Sequence, residues 1–256
     1  MTKPIQVKGL TIGEGMPKIC VPIMGKDLES LSREAREAKE AGADLVEWRA
    51  DFFEELSDTE AAEKALLEIS RQLGETPLLF TIRTKEEGGN RQISTKDYVN
   101  LNLAAARTKK ADLIDVELFR NEEEMTALIK ELQKEGAVVI ASTHDFEKTD
   151  DKETLKSRLL AMDRSGADIL KMAVMPDEFE DVSALMLVTN EMTKELTEKP
   201  VISMAMGSLG SISRIAGENF GSSVTFACVG QASAPGQFPI RELRTMMDAL
   251  HEKNQK

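Results

Sequence analysis

Residues 165–175 read SGADILKMAVM, in which the apolar run from Ile169 to Met175 is interrupted once, by Lys171. A strand covered by helices on both faces has this nearly continuous hydrophobic character. A charged amine inside it is costly to bury unless it is paired or neutral. Two other stretches share the pattern, AGADLVEWRAD (41–51) and KKADLIDVELF (109–119). Each sets Ala-Asp before two apolar residues and then a charged one, which is Glu47, Asp115 and Lys171 in turn. If the three strands enter the fold alike, side-chain alternation puts these positions on one inward face.

Working outward, five further runs have the same apolar make-up: KICVPIM (18–24), PLLFTIRT (77–84), AVVIAST (137–143), VISMAMG (201–207) and SSVTFACVG (222–230). The stretches between them carry helical patterning. DLESLSREAREAKEAG (27–42) opens on an Asp/Ser cap and stops at Gly42, and DKETLKSRLLAMDRSG (151–166) ends at Gly166 in the same way. The charge run REAREAKE reads as the wet face of a helix. Eight βα units in 256 residues match an α/β fold of the (β/α)8 or TIM-barrel type. An open doubly wound sheet is the competitor, but its glycine fingerprint is missing from the first βα turn, MGKDLES (24–30). IQVKGLT (5–11) is expected to form a short hairpin closing the barrel's bottom. No stretch reads as a linker, so residues 1–256 are expected to form one domain.

Composition narrows the function classes. A net charge of −12 argues against nucleic acid and requires a local cluster of arginines to hold any anionic ligand. No apolar segment has the length of a membrane span or a signal peptide. Cys20 and Cys228 are far apart and lack histidines at zinc spacing, so they read as small core residues of a cytoplasmic chain, with no metal.

In a barrel, function gathers at the C-terminal ends of the strands. Glu47 and Arg49 share a face there, as do Asp115 and Glu117. Arg83 runs into TKEEGGNRQ, STHDF (142–146) holds His144, and Met204 and Met206 stand at period two. Each has a plain alternative: the charged pairs could be a structural ion network, the methionines packing, and Lys171 a lysine satisfied by Glu47 or Asp115. His251, in a charged terminal helix, reads as solvated. The sharper reading of Lys171 is an uncharged amine that attacks a carbonyl carbon, because desolvation and nearby cations favour the free base.

Taken as a set, VEWRAD (46–51), FTIRTKEEGGN (80–90), STHDF, DILKMAVMP (168–176), ISMAMGSLGSISRIAGENFGS (202–222) and GQASAPGQFP (230–239) resemble type I 3-dehydroquinate dehydratases in order and spacing. The resemblance runs from about residue 18 to the C-terminus. It implies a cytoplasmic, homodimeric (β/α)8 lyase of aromatic amino-acid biosynthesis, working without metal or organic cofactor on 3-dehydroquinate. It also implies a Schiff base at Lys171, proton transfer by His144 and support from Glu87. Glu47, Arg49, Arg83, Arg214, Ser233, Ala234 and Gln237 are implied to bind substrate, with Met204, Met206 and Phe226 as walls. Pro22 departs from relatives that offer a serine there. Residues 232–238 have the small residues of a cover that closes over bound substrate. Two rivals are a class I aldolase acting on phosphorylated sugars and a catalytically silent barrel that only binds a ring acid.

Overall fold

The computed structural model describes residues 2–254, so the outermost residues of the expected 1–256 domain lie outside the described residues. A hairpin comes first, β1 (Ile5–Val7) and β2 (Leu10–Ile12), paired antiparallel. The eight apolar runs then form β3 (Lys18–Ile23), β4 (Leu45–Arg49), β5 (Leu78–Thr81), β6 (Leu113–Glu117), β7 (Val138–Asp145), β8 (Ile169–Val174), β9 (Val201–Ala205) and β10 (Val224–Phe226). They lie parallel in the order β10-β3-β4-β5-β6-β7-β8-β9. A parallel bridge between Val201 and Ser222, with Ser223 N–H donating to the Val201 carbonyl, joins the two ends of the sheet into a ring. Helices follow most strands, and the result is a (β/α)8 barrel.

Several strands are shorter than their apolar runs. β5 stops at Thr81 and β10 at Phe226, because Arg83 and the residues after Ala227 leave the sheet to build the rim. The helices begin and end where the caps require. Asp27 accepts from Ser30 N at 2.8 Å and Asp151 from Thr154 N at 3.0 Å, each satisfying a helix N-terminal amide. Gly42 and Gly166 adopt positive φ just beyond the helix ends.

The repeated Ala-Asp pairs have a structural role at the start of their strands. Asp44, Asp112 and Asp168 accept from the backbone N–H of Ile19, Leu78 and Val139 at 2.6, 2.8 and 2.8 Å. Each aspartate's own N–H returns a bond to the carbonyl of the same residue, at 2.9 Å in all three cases. An aspartate therefore clamps the first residues of the preceding strand and satisfies an amide that the ladder leaves over.

Period two then organises the barrel interior in layers. The lowest is apolar: Cys20, Leu45, Leu79, Leu113, Ile140, Ile169, Ile202 and Val224, each at most 2 % exposed. The β1–β2 hairpin adds Val7 and Ile12 to this cluster, and Lys8 of its turn pairs with Asp112 at 2.8 Å. The hairpin thus closes the bottom as expected. Two residues further along the strands, the inward layer becomes polar: Glu47, Thr81, Asp115, Ser142 and Lys171 are all buried.

Candidate active site

Above the polar layer lies a cavity with about 440 Å³ of empty space, counted out into its open mouth. Glu47, Arg49, Arg83, His144, Lys171, Met204, Met206, Arg214, Phe226, Ser233, Ala234 and Gln237 all line it. Glu87 stands behind His144. Two lining residues escaped the sequence reading, Phe146 and Ala173. Each lies two positions beyond a recognised residue, His144 and Lys171, so the strand period alone would have found them.

Lys171 Nζ lies 3.1 Å from Asp115 Oδ2 and 3.3 Å from Glu47 Oε1, with the Phe226 ring centre 4.7 Å away. The amine therefore has partners of its own. The lysine is satisfied by both carboxylates named as its possible partners, and it still faces the cavity. Thr81 Oγ1 donates to Glu47 Oε1 at 3.0 Å, and Ser142 Oγ to Asp115 Oδ1 at 2.6 Å.

Arg83 fills the centre of an acidic cluster. Its guanidinium reaches Asp115 at 2.9 Å, Glu117 at 2.8 Å and Glu87 at 3.6 Å. Although burial alone would raise Asp115, the Arg83 and Lys171 cations and its hydrogen bonds hold its carboxyl below the usual range. Arg49 is gripped by both oxygens of Asp51 at 2.8 Å. These pairs form an ion network, and of their members Arg49 and Arg83 also face the cavity.

His144 Nδ1 meets Glu87 Oε2 at 2.9 Å. A tight turn, Lys85–Glu87, carries the glutamate, and Gly88 follows at φ +78°. A Cβ at Gly88 would stand 2.4 Å from the Phe146 ring, so glycine lets β7 and this turn close together. Burial pushes the Glu87 carboxyl up, with Glu117 adding to the effect. Burial, then Arg83, pushes the His144 imidazole well below its ordinary value. Neither shift favours a full ion pair.

Arg214 lies on a short helix, Ser211–Ile215, and is 1 % exposed. Among the described residues no carboxylate pairs with it. Its Nη2 donates to the Pro235 carbonyl at 3.0 Å, and its buried Nε has no partner among the described residues. Burial lowers its pKa to about 10. A desolvated guanidinium with unused donors is suited to a carboxylate.

Residues 232–238 lie over the mouth. The Pro235 carbonyl also accepts from Gly207 N–H at 3.2 Å, and Ser233 and Gln237 bond to each other twice. Gly236 has φ +79°, and a Cβ there would approach Gly207 O to 2.3 Å. Pro22 occupies an inward position of β3 beside Glu47 and offers no donor. His251 is not simply solvated: it is half-buried, 2.7 Å from Glu218. Cys20 and Cys228 are buried free thiols, though Cys228 lies just past β10.

Residues 19–254 match the family model described as Type I 3-dehydroquinase. The 3-dehydroquinate dehydratase of Bacillus licheniformis is 46% identical over 251 residues, covering 98% of this chain and 99% of that one. The Listeria monocytogenes (strain HCC23) enzyme of the same name is 47% identical over 249 residues, 97% of this chain and 98% of its own. A crystal structure of the type I enzyme from Clostridium difficile, with covalent modified comenic acid, superposes with a TM-score of 0.96 at 44% identity over 99% of this chain and 100% of that one. With fold, cavity and sequence in agreement over nearly its whole length, the chain belongs to the type I 3-dehydroquinase family.

Proposed function

We propose that this enzyme dehydrates 3-dehydroquinate to 3-dehydroshikimate, on the route to chorismate and the aromatic amino acids, through an imine formed at Lys171. The observation that carries the reading is a lysine amine in the cavity wall, beside a His144–Glu87 pair and sharing the cavity with an arginine, Arg214, that has no carboxylate partner among the described residues.

The substrate has a ketone, an adjacent CH2 and a hydroxyl one carbon further on. Lys171 Nζ adds to the ketone carbon, and loss of water gives a protonated imine. That cation withdraws electrons from the neighbouring carbon and makes its proton far more acidic, so a side chain supplies the electron sink. His144 is held in its neutral form by burial and Arg83, and neutral imidazole is the form that accepts a proton. The same ring, once protonated, can return the proton to the departing hydroxyl, and water then releases the product from Lys171. Glu87 orients the ring through Nδ1. Arg214 takes the substrate carboxylate, while Glu47, Arg49, Arg83, Ser233 and Gln237 hold ring hydroxyls. Met204, Met206, Phe226 and Ala234 wall the site.

Borohydride reduction in the presence of 3-dehydroquinate, followed by peptide mass spectrometry, tests the route. A permanent adduct on Lys171, together with appearance of 3-dehydroshikimate absorbance, is expected. Turnover without any adduct on Lys171 sinks the imine. A homodimer and a cytoplasmic location belong to the same proposal, and light scattering on the purified protein checks the first.

A further inference from the structure

We infer that Asp115 is the fixed counter-ion of the Lys171 imine, the anion that keeps its nitrogen protonated through the reaction. The inference rests on the imine route proposed above.

Two carboxylates touch Nζ, and their surroundings differ. Glu47 opens onto the cavity, with Thr81 as its other side-chain partner. A ring hydroxyl arriving there competes with the amine for its oxygens. Asp115 does not line the cavity and is 0 % exposed. Its Oδ1 is taken by Arg83 and Ser142, at 2.9 and 2.6 Å, and its Oδ2 points at Nζ. No substrate group can displace it.

Condensation changes what the nitrogen needs. An ammonium has three hydrogens to share, whereas a protonated imine has one N–H and still carries the positive charge. The remaining hydrogen requires an acceptor that stays in place when Glu47 turns to the substrate. Asp115 is that acceptor, and the Phe226 face, 4.7 Å from Nζ, is a second group favouring a cation there. The electron-sink role depends on this charge: an unprotonated imine activates the neighbouring C–H far less. Among the described residues, the other charged or titratable groups around the nitrogen are Cys20 on β3, Glu47 and Arg49 on β4, Arg83 and Glu87 beyond β5, Glu117 on β6, His144 on β7 and Arg214 beyond β9. β9 and β10 contribute only Met204 and Phe226.

Asp115→Asn keeps the shape and removes the charge. Its kcat is expected to fall by about a hundredfold or more, the scale seen when one pre-placed charge-stabilising group is lost, while KM changes little. The alkaline limb of the kcat–pH profile should move to lower pH, since an imine without its anion gives up its proton more readily. Asp115→Glu, which restores the charge, should recover part of kcat and move the limb back. Asp115→Asn with the wild-type kcat and the wild-type limb overturns the inference. If circular dichroism shows that Asp115→Asn does not fold, Ser142→Ala serves instead, removing the shortest bond that holds the carboxylate and, with it, a 3.3 Å bond from Arg83. It is expected to lower kcat about five- to tenfold at unchanged KM, and wild-type turnover there overturns the inference as well. Borohydride trapping separates the two readings. A wild type with no adduct on Lys171 removes the imine route itself. A wild type that traps, beside an Asp115→Asn enzyme that matches it in rate and pH profile, removes the counter-ion alone.

Discussion

The two ends of the barrel use carboxylates in opposite ways. At the N-terminal end, Asp44, Asp112 and Asp168 accept backbone amides and pin neighbouring strands together. Three residues further along the same strands, Glu47, Asp115 and Lys171 turn inward and meet one another and Arg83 instead. One short repeat therefore supplies both a stitch and a charged group. Below, the acid completes the protein's own hydrogen bonding. Above, charges are crowded beneath an opening and depend on one another for solvation. Stability should reside at the lower end and chemistry at the upper.

The strongest attempt to break that division is Lys171→Ala. On the proposed route it should lower kcat by at least about 10⁴-fold, the loss expected when the covalent nucleophile itself is removed, and abolish trapping by borohydride. Comparable turnover would mean the upper layer is only structural. His144→Ala comes next: a loss of about 10²–10⁴-fold in kcat is expected for removing a general acid–base group, with the Lys171 adduct still trappable. Loss of the adduct without loss of turnover contradicts the roles given to the pair.

At the lower end the expected effect is of another kind. Asp168→Ala leaves the Val139 amide without its side-chain acceptor, which costs about 1–3 kcal/mol of stability. Denaturant melts should register it, while kcat per folded molecule stays at the wild-type level. A fall in kcat would show that the two ends are coupled.

The smallest effect is a pH dependence. Burial and Arg83 hold His144 below its ordinary value in the folded chain. As pH falls below about 6.5, the unfolded chain therefore takes up this proton before the folded one. Stability from this group is full above that value and declines toward the folded one. Glu87, pushed up by burial, has the opposite sign and gains as pH falls. Thermal melts between pH 7 and 5 should show a shallower decline for His144→Gln than for the wild type. An identical slope would mean the histidine titrates alike in both states.

Most of this architecture was legible because the strand period repeats without interruption. The apolar runs gave the eight strands, and the shared spacing of Glu47, Asp115 and Lys171 put them on one inward face. Alternation alone could not assign partners. Two carboxylates were open for Lys171, and the barrel's geometry brings in both. The Ala-Asp repeat was visible, but its acid had no reading until the neighbouring amides were located, because those bonds join residues 25 to 34 apart in sequence. Glu87 came only by resemblance, since a turn residue has no periodicity to betray it. The shift of His144 comes from burial and then from Arg83, a neighbour from another strand that no local pattern announces.

The greasy floor beneath Lys171 makes the interior a vessel with a single neck. On the proposed route, condensation and elimination each liberate a water molecule, and release of the product takes one back. None can drain downward past the close-packed aliphatic tier and its hairpin stopper. Solvent traffic must therefore share one doorway with the organic molecule, under the loop hooked by the Pro235 carbonyl.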